Sequence, residues 1–173
     1  ALLGASWLIM KTSGALQLRA VGWARHALWL TAAGVAAVSI ATPLVSSRIF
    51  DKWFKLPEIV LLLPIPLATA LAFFIIARSL ARLPKRLAAG DEHGDWVPFA
   101  GSVGIFVLAF YGLAYSLFPY LVVDRITIWD AASAPESLLI ILFGAALVLP
   151  VIVGCSVVSW RVFGGKAGEL SYG

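Results

Sequence analysis

The chain has 173 residues, of which 61% are hydrophobic and only 13% charged, and its mean hydropathy is +0.96. Soluble domains are about 45–50% apolar and about 25% charged, so this composition excludes a water-soluble globular enzyme. It also excludes intrinsic disorder, because so much apolar surface must be buried. The net charge of +4 would suggest nucleic-acid binding in a soluble protein. In a membrane protein it reflects Lys and Arg in cytoplasmic loops, so we expect no nucleic-acid partner.

One short and four long apolar segments follow one another along the chain. The short one, Ala1 to Met10, is shorter than the roughly 20 residues that cross a bilayer. No basic region precedes it as in a signal peptide, so we expect it to be the clipped end of a transmembrane helix. Each long segment has about the length that crosses a hydrocarbon core. These predicted spans are Trp23–Val45, Glu58–Ala77, Val97–Val123 and Ser137–Trp160.

The long segments predict helices, because none alternates polar and apolar residues as the strands of a transmembrane barrel do. The predicted fold is an all-α, polytopic transmembrane helical bundle with four full spans plus the clipped end of a preceding helix. Pro64 and Pro66 in the second span and Pro150 in the fourth remove backbone donors, so we expect them to kink their helices. The lone cysteine, Cys155, excludes an intrachain disulfide and a cysteine-based metal cluster.

The basic residues are unevenly divided between the two sides that successive loops would occupy. Nine lie in the first loop, the third loop and the C-terminal tail, and four lie in the second and fourth loops. Because Lys and Arg are enriched in cytoplasmic loops, we expect the larger group and the C-terminus in the cytoplasm. The larger group is Lys11, Arg19, Arg25, Arg78, Arg82, Lys85, Arg86, Arg161 and Lys166, and the smaller is Arg48, Lys52, Lys55 and Arg125.

Away from their edges, the four predicted spans contain no Asp, Glu, Lys, Arg or His. Proton relays, ion sites and voltage sensors need such groups at membrane depth, so we predict no catalytic, cofactor-binding or metal-binding residue in this chain. The weakly polar residues of the spans are expected to hydrogen-bond to a preceding carbonyl or to another helix. Examples are Thr31, Ser39, Thr69, Ser102 and Ser116.

The candidate haem ligands are His26, His93 and Met10, because helical bundles often hold haem between His or Met side chains. His26 lies at a span edge, His93 in a loop and Met10 at the end of the short segment. No two of them are expected to face each other at one depth, so we predict no haem in this chain. His93 also lies among acidic residues that can attract a divalent cation, although a solvated loop is the favoured interpretation. Those acidic residues are Asp91, Glu92 and Asp95.

Two local patterns concern helix ends and helix contacts. Ser133 and Glu136 have the spacing of a capping box at the start of the fourth span, with Ser133 as the capping residue. Gly101, Gly104 and Gly112 leave three positions on one face of the third span without side chains. This pattern predicts a close helix contact there.

Three stretches of sequence together resemble one family. They are Gly4 to Gln17 (GASWLIMKTSGALQ), then Phe118-Pro119-Tyr120 followed by Ile126 to Ala132 (ITIWDAA), and Leu149 to Lys166, which contains LPVI and WRVFGGK. In this combination the chain resembles the C-terminal half of subunit II of cytochrome bd-type quinol oxidases, the cyanide-insensitive branch included. The resemblance covers essentially the whole chain.

The resemblance implies a subunit of two four-helix repeats, with residues 1–22 as the end of a transmembrane helix and a cytoplasmic loop, and residues 23–173 as the second repeat. It also implies that the haems and the quinol site belong to the partner, subunit I. The expected function is that of a non-catalytic subunit of a terminal quinol oxidase, in which quinol oxidation is coupled to O2 reduction. This subunit would pack against subunit I and shield it, in the bacterial cytoplasmic membrane.

The alternative is a small membrane transporter or channel subunit, because kinked helical units also build transporters. A transporter is expected to carry a polar or charged site at the midplane, and the predicted spans have none. The sequence leaves open whether ubiquinol or menaquinol is used, and whether a quinone or a membrane lipid fills a groove between the helices.

Overall fold

A computed structural model of the chain describes residues 1–45, 47–54, 60, 62–91, 93–122, 125–162 and 164–166. Within these residues the chain forms six helices and one two-stranded sheet. The helices are α1 (Leu2–Lys11), α2 (Gly14–Val45), α3 (Ser47–Phe54), α4 (Pro64–Ala88), α5 (Val97–Leu117) and α6 (Pro135–Val162), and the strands are β1 (Tyr120–Val122) and β2 (Ile126–Thr127).

Four of these helices, α2, α4, α5 and α6, are long and apolar enough to cross a membrane. The helix α1 is also apolar but has only 10 residues, about half the length of a span. The predicted all-α transmembrane bundle with four full spans and one short helix before them is therefore confirmed for the part of the chain that the structure describes.

The helices and the apolar segments do not have the same ends. The helix α2 begins at Gly14 rather than at Trp23, and α4 continues to Ala88 rather than ending at Ala77. The 25 residues of α4 are about 37 Å long, whereas a hydrocarbon core is about 30 Å thick. Both helices therefore extend beyond the apolar length that lipid requires, into sequence that carries Arg residues.

The helix α5 ends earlier than the third predicted span, at Leu117 instead of Val123. The next residue, Phe118, has φ −57° and ψ 134°, the conformation favoured before a proline, and Pro119 has no amide hydrogen to continue the helix. The strands β1 and β2 then pair as a short antiparallel hairpin. The hairpin was not predicted, because the residues of β1 continue the apolar run of the third predicted span.

Only one of the three prolines that were expected to kink their helices lies in the interior of a helix. Pro64 and Pro66 lie in the first turn of α4, where backbone amides have no intrahelical partner, so the prediction that they kink the interior of the span is wrong. Pro150 lies inside α6 as predicted. Pro43 and Pro84 also lie inside helices, in α2 and α4 respectively.

The described chain divides into two compact units, Ala1–Phe118 and Pro119–Lys166. The first unit has a buried core of apolar side chains from α1, α2, α4 and α5, in which Ile9, Ile76 and Leu80 are fully buried. The second unit contains the hairpin and α6, none of whose residues is buried. Among the described residues, the buried polar side chains therefore all belong to the first unit.

Candidate functional site

The interior of the first unit contains buried polar side chains, and each has a hydrogen-bond partner. Burying such a group without a partner is costly, so the identity of the partner indicates what the group does. The buried polar residues are Ser6, Gln17, Thr69, Ser102 and Ser116.

Two serine side chains join α1 to α5. The Oγ atoms of Ser6 and Ser102 are 3.2 Å apart, and the Ser102 hydroxyl donates to the carbonyl oxygen of Pro98 at 2.6 Å. Since the Ser102 proton is engaged in that bond, Ser6 is the donor to Ser102. Both side chains are nearly fully buried, so this pair acts as a contact between the two helices.

Gln17 of α2 caps the end of α1. Its Nε2 donates to the carbonyl oxygen of Ile9 at 2.9 Å. The helix α1 ends at Lys11, and Thr12 is extended with φ −120° and ψ 166°, so the Ile9 carbonyl is among the last four of the helix, which lack intrahelical partners. The buried amide of Gln17 supplies the donor that the helix end lacks.

Arg25 of α2 donates to a second backbone carbonyl that lacks an intrahelical donor, this one in α4. Its Nη2 donates to the carbonyl oxygen of Leu80 at 2.7 Å. In a regular helix that carbonyl accepts from the amide four residues later, but this position is occupied by Pro84, which has no amide hydrogen. Pro84 leaves the Leu80 carbonyl without an intrahelical donor, and Arg25 supplies one. This hydrogen bond joins α2 to α4.

Sequence reasoning missed both of these contacts. A proline inside a helix leaves the carbonyl four residues earlier without its usual amide donor. Pro84 therefore indicates that the Leu80 carbonyl lacks a donor, although both residues lie beyond the end of the second predicted span. The donor comes from another helix, and no local pattern identifies Arg25 as that donor. For Gln17 the sequence predicts that the short helix ends at Met10, one residue before its observed end at Lys11, but no local pattern identifies Gln17 as the donor to that end.

Hydroxyl groups in the spans bond to the preceding turn of their own helix, as predicted. Each donates to the carbonyl oxygen four residues earlier, at 2.6–2.8 Å. Such bonds satisfy the hydroxyl within its own helix. The residues concerned are Thr31, Thr69, Ser102 and Ser116. The expectation for Ser39 stays a prediction.

The helices α4 and α5 approach closely at Gly101. A Cβ atom placed on Gly101 would lie 2.6 Å from Cγ1 and 2.9 Å from Cδ1 of Ile76, closer than carbon atoms can pack. At Gly112 the nearest atom would be Cγ2 of Ile65 at 3.5 Å, and at Gly104 no heavy atom of the described chain would lie within 4 Å. The predicted close contact of the glycine face is therefore confirmed at Gly101 and does not extend to Gly104.

The candidate haem ligands lie on three separate elements. His26 is an exposed residue of α2 whose Nδ1 lies 2.9 Å from the carbonyl oxygen of Gly22 and donates to it. Met10 lies in α1, and His93 lies in the loop after α4 with its side chain 96% exposed. Exposure on a helix surface or in a loop does not favour either histidine as an axial ligand. The prediction that this chain binds no haem stays a prediction.

The acidic loop after α4 is organised around Asp91. Its Oδ2 accepts from Nε and Nη2 of Arg86 at 2.9 and 2.8 Å, and its Oδ1 accepts from the amide of His93 at 2.9 Å. The bond from the His93 amide, followed by that from Arg86, lowers the pKa of Asp91 from its usual 3.8. Groups of three metal-ligating residues are absent from the described part of the chain, and Glu92 lies outside it. The described contacts of Asp91 are those of a structural turn.

The loop before α6 is closed by Asp130 and Thr127. Oδ2 of Asp130 accepts from the Thr127 hydroxyl at 2.6 Å and from its amide at 3.3 Å, and the hydroxyl bond is the chief cause of a lowered Asp130 pKa. The helix begins at Pro135, and an amide of its first turn donates to the carbonyl oxygen of Ala134. Ala134 therefore holds the capping position, and the prediction that Ser133 holds it is wrong by one residue.

Comparison with known proteins identifies the family. No curated protein and no solved structure matches the chain. The model of one family, cytochrome bd terminal oxidase subunit II, matches residues 1–163. The match is nearly the whole chain, and it includes the first two stretches that carry the resemblance and the third as far as residue 163. The chain therefore belongs to the cytochrome bd terminal oxidase subunit II family and is a multi-pass membrane subunit of a terminal oxidase.

Proposed function

We propose that this chain is a non-catalytic subunit that packs against the haem-bearing subunit I of a terminal quinol oxidase and shields it. In this proposal the complex oxidises quinol and reduces O2 to water, and both the haems and the quinol site belong to subunit I. Family membership supports the role in a terminal oxidase. The polar interior and the apolar surface of the chain support the assignment of the chemistry to the partner.

The observation that carries the proposal is that polar side chains at the helix contacts of the first unit, the buried Ser6, Gln17 and Ser102 and the exposed Arg25, are engaged in joining helices. Gln17 and Arg25 donate to backbone carbonyls, and Ser6 donates to Ser102. Residues 27–44, 64–77, 97–117 and 137–160 contain no Asp, Glu, Lys, Arg or His. Since proton relays across a membrane use such residues and haem iron is often held by His, the chemistry of the complex is better assigned to another subunit.

The surface of the spans suits lipid and a second membrane subunit. Large apolar side chains are exposed along α5 and α6, among them Phe106 and Phe110 on α5 and Ile140 and Phe143 on α6. Lipid covers such side chains without cost, and another helix replaces lipid where its shape allows closer packing. The partner thus needs no polar patch on this chain in order to bind.

Purification of the tagged chain from its native membrane tests the proposal. We expect an equimolar haem-bearing partner in the preparation, with a Soret band and quinol-dependent O2 uptake. After the subunits are dissociated and separated, the Soret band should stay with the partner. A stoichiometric Soret band that stays with this chain and disappears in the His26→Ala variant would overturn the proposal.

A small transporter or channel subunit, the alternative function, predicts a different result from the same preparation. The chain would then purify without a haem-bearing partner and would move a solute across liposome membranes by itself. Solute movement by the isolated chain, at a rate that the assembled complex does not match, contradicts the oxidase proposal.

We also propose that the chain lies in the bacterial cytoplasmic membrane with its C-terminus and the loop after α4 in the cytoplasm. The support is the division of the basic residues into nine and four. In spheroplasts, a membrane-impermeant maleimide should label Ser133→Cys before α6 and should not label Ala89→Cys after α4, both in a Cys155→Ser background. The cysteine is placed at Ala89 rather than at the neighbouring Gly90, because the φ of 75° at Gly90 disfavours any residue with a side chain. The reverse labelling pattern contradicts the orientation.

A further inference from the structure

The short helix α3, which follows α2, has one polar and one apolar face. Its eight residues are about 12 Å long, far less than the roughly 30 Å of a hydrocarbon core. With about 3.6 residues per turn, its residues divide into two opposite groups. The apolar face consists of Ile49, Phe50, Trp53 and Phe54, and the opposite, polar face carries Asp51.

One edge of the apolar face packs on the bundle. Ile49 is buried, and Nε1 of the half-buried Trp53 donates to Oγ of Ser116 at 3.0 Å. Ser116 is itself buried and lies in the last turn of α5, which ends at Leu117. The indole hydrogen bond therefore attaches α3 to the end of a membrane-spanning helix.

The other edge of the apolar face is exposed. Phe50 and Phe54 are one turn apart, their ring centroids are 4.7 Å from each other, and 49% and 58% of their surfaces are exposed. Two adjacent aromatic rings on one edge of an amphipathic helix form an apolar surface that water does not favour. Some apolar partner must cover them.

The position of α3 identifies that partner. The helix α2 ends at Val45, directly before α3, and Trp53 holds α3 at the end of α5. The 21 residues of α5 are about 31 Å long, which matches the thickness of the hydrocarbon core. The end of α5, and α3 with it, therefore lies where acyl chains meet headgroups.

We propose that α3 is a membrane-surface anchor, whose Phe50 and Phe54 side chains insert between the phospholipids of the leaflet at this end of the bundle. Amphipathic helices with aromatic residues on the apolar face bind lipid in this way, parallel to the membrane plane. The anchor fixes the start of the connection between α2 and α4 at the membrane surface, while the polar face carrying Asp51 is directed towards the headgroups and water.

Spin labels on single cysteines in the intact complex test the anchor. The variants are Phe50→Cys, Phe54→Cys and, as the matched control on the polar face, Asp51→Cys, each in a Cys155→Ser background and reconstituted in vesicles of phosphatidylcholine and phosphatidylglycerol. The unmodified Cys155→Ser complex gives the background from cysteines of other subunits. Collision with O2, which concentrates in the bilayer, is compared with collision with a water-soluble nickel chelate.

At positions 50 and 54 we expect O2 to be severalfold more effective than the nickel chelate, and at position 51 we expect the reverse. A label at 50 and 54 that is reached by neither reagent shows a covering protein, and one that is reached mainly by nickel shows water. Either result overturns the proposal.

A second experiment leaves α3 unaltered. The native complex is reconstituted with a phospholipid that carries a photoactivatable carbene precursor close to the glycerol backbone, and the adducts are mapped by mass spectrometry. We expect adducts on Phe50 or Phe54. Adducts on exposed side chains of α2 and α5 with none on α3 contradict the anchor.

Discussion

Two contacts of α4 with its neighbours are built in different ways. At the contact with α5, Gly101 has no side chain, and Ile76 occupies the space that a Cβ atom would take. At the contact with α2, the guanidinium of Arg25 reaches a carbonyl of α4 that Pro84 leaves without an intrahelical donor. One contact depends on close packing and the other on a hydrogen bond.

The difference shows which forces remain available to helices in lipid. Apolar side chains are as well accommodated by acyl chains as by protein, so their burial does not bring helices together. Close packing and hydrogen bonds do so instead, and the first unit uses one on each side of α4. A packing contact is sensitive to added volume, whereas a hydrogen-bond contact is sensitive to loss of the donor. These sensitivities can be measured separately.

The largest effect is expected from added volume at the packing contact. Gly101→Ala places a Cβ atom 2.6 Å from Cγ1 of Ile76, so the helices must separate or Ile76 must move, at a cost of about 1–3 kcal/mol. The measurement is the free energy of unfolding of the complex by sodium dodecyl sulfate in mixed micelles.

The matched control for that substitution is Gly104→Ala, because a Cβ atom there meets no heavy atom within 4 Å in the described chain. Gly104→Ala should leave the unfolding free energy unchanged or raise it by up to about 1 kcal/mol, because Ala is the better helix former. Combining Gly101→Ala with Ile76→Ala should cost less than the sum of the two single changes, since the second makes room for the first. Equal costs at Gly101 and Gly104 would show that the close contact is not formed.

A somewhat smaller effect is expected from loss of the polar cap on α1. Gln17→Met keeps a side chain of similar length but removes the donor to the carbonyl oxygen of Ile9, and an unsatisfied buried carbonyl costs about 1–2 kcal/mol. Unfolding in mixed micelles again measures the change. Leu16→Met, at an exposed position of the same turn, is the control and should be neutral. A neutral Gln17→Met would contradict the capping role.

A cycle of substitutions at Arg25 and Pro84 isolates the hydrogen bond between α2 and α4. Arg25→Ala removes the donor to the Leu80 carbonyl, and a hydrogen bond between membrane helices contributes about 0.6 kcal/mol, with a maximum of about 1.7. In a Pro84→Ala background the new amide of residue 84 can donate to that carbonyl. The loss of Arg25 should then cost less. An equal cost in both backgrounds would show that the proline does not create the need for the arginine.

The smallest effect is expected in the loop after α4, where the contact is exposed and sensitive to pH. Hydrogen bonds from His93 and Arg86 lower the pKa of Asp91 from 3.8, so the folded loop holds a proton less readily than the unfolded chain. The stabilisation is therefore fully present above pH 3.8 and is lost as the pH falls through the lowered pKa. The difference in unfolding free energy between the native complex and Asp91→Asn should shrink below that pH. If the difference in unfolding free energy between the two proteins grew on acidification, the result would contradict this prediction.

Much of the fold could be predicted from the sequence because the bilayer imposes a local rule. Every backbone polar group in hydrocarbon must be paired, so an apolar segment of about 20 residues forms a helix whatever its neighbours are. That rule is sufficient for the four spans, whose existence the structure confirms. It also explains why Thr31 and Thr69 bond to their own helices, since the acceptor lies one turn away.

The rule concerns only the part of a helix that lies in lipid, so the ends of the helices were predicted less well. The helices α2 and α4 continue past their apolar segments, and Pro119 ends α5 within the third predicted segment. Similarly, Gly101 and Gly104 are indistinguishable in sequence, although only Gly101 lies against a neighbouring side chain.

Which residues meet was decided by the tertiary structure. Whether a glycine, a glutamine or an arginine of one helix faces another depends on the rotation and height of both helices, and a hydropathy pattern contains neither quantity. The sequence determined that Pro84 leaves the Leu80 carbonyl without a donor. Only the packing of α2 beside α4 made Arg25 the residue that supplies it, because a donor must come within about 3 Å of its acceptor, and separation along the chain does not determine that distance.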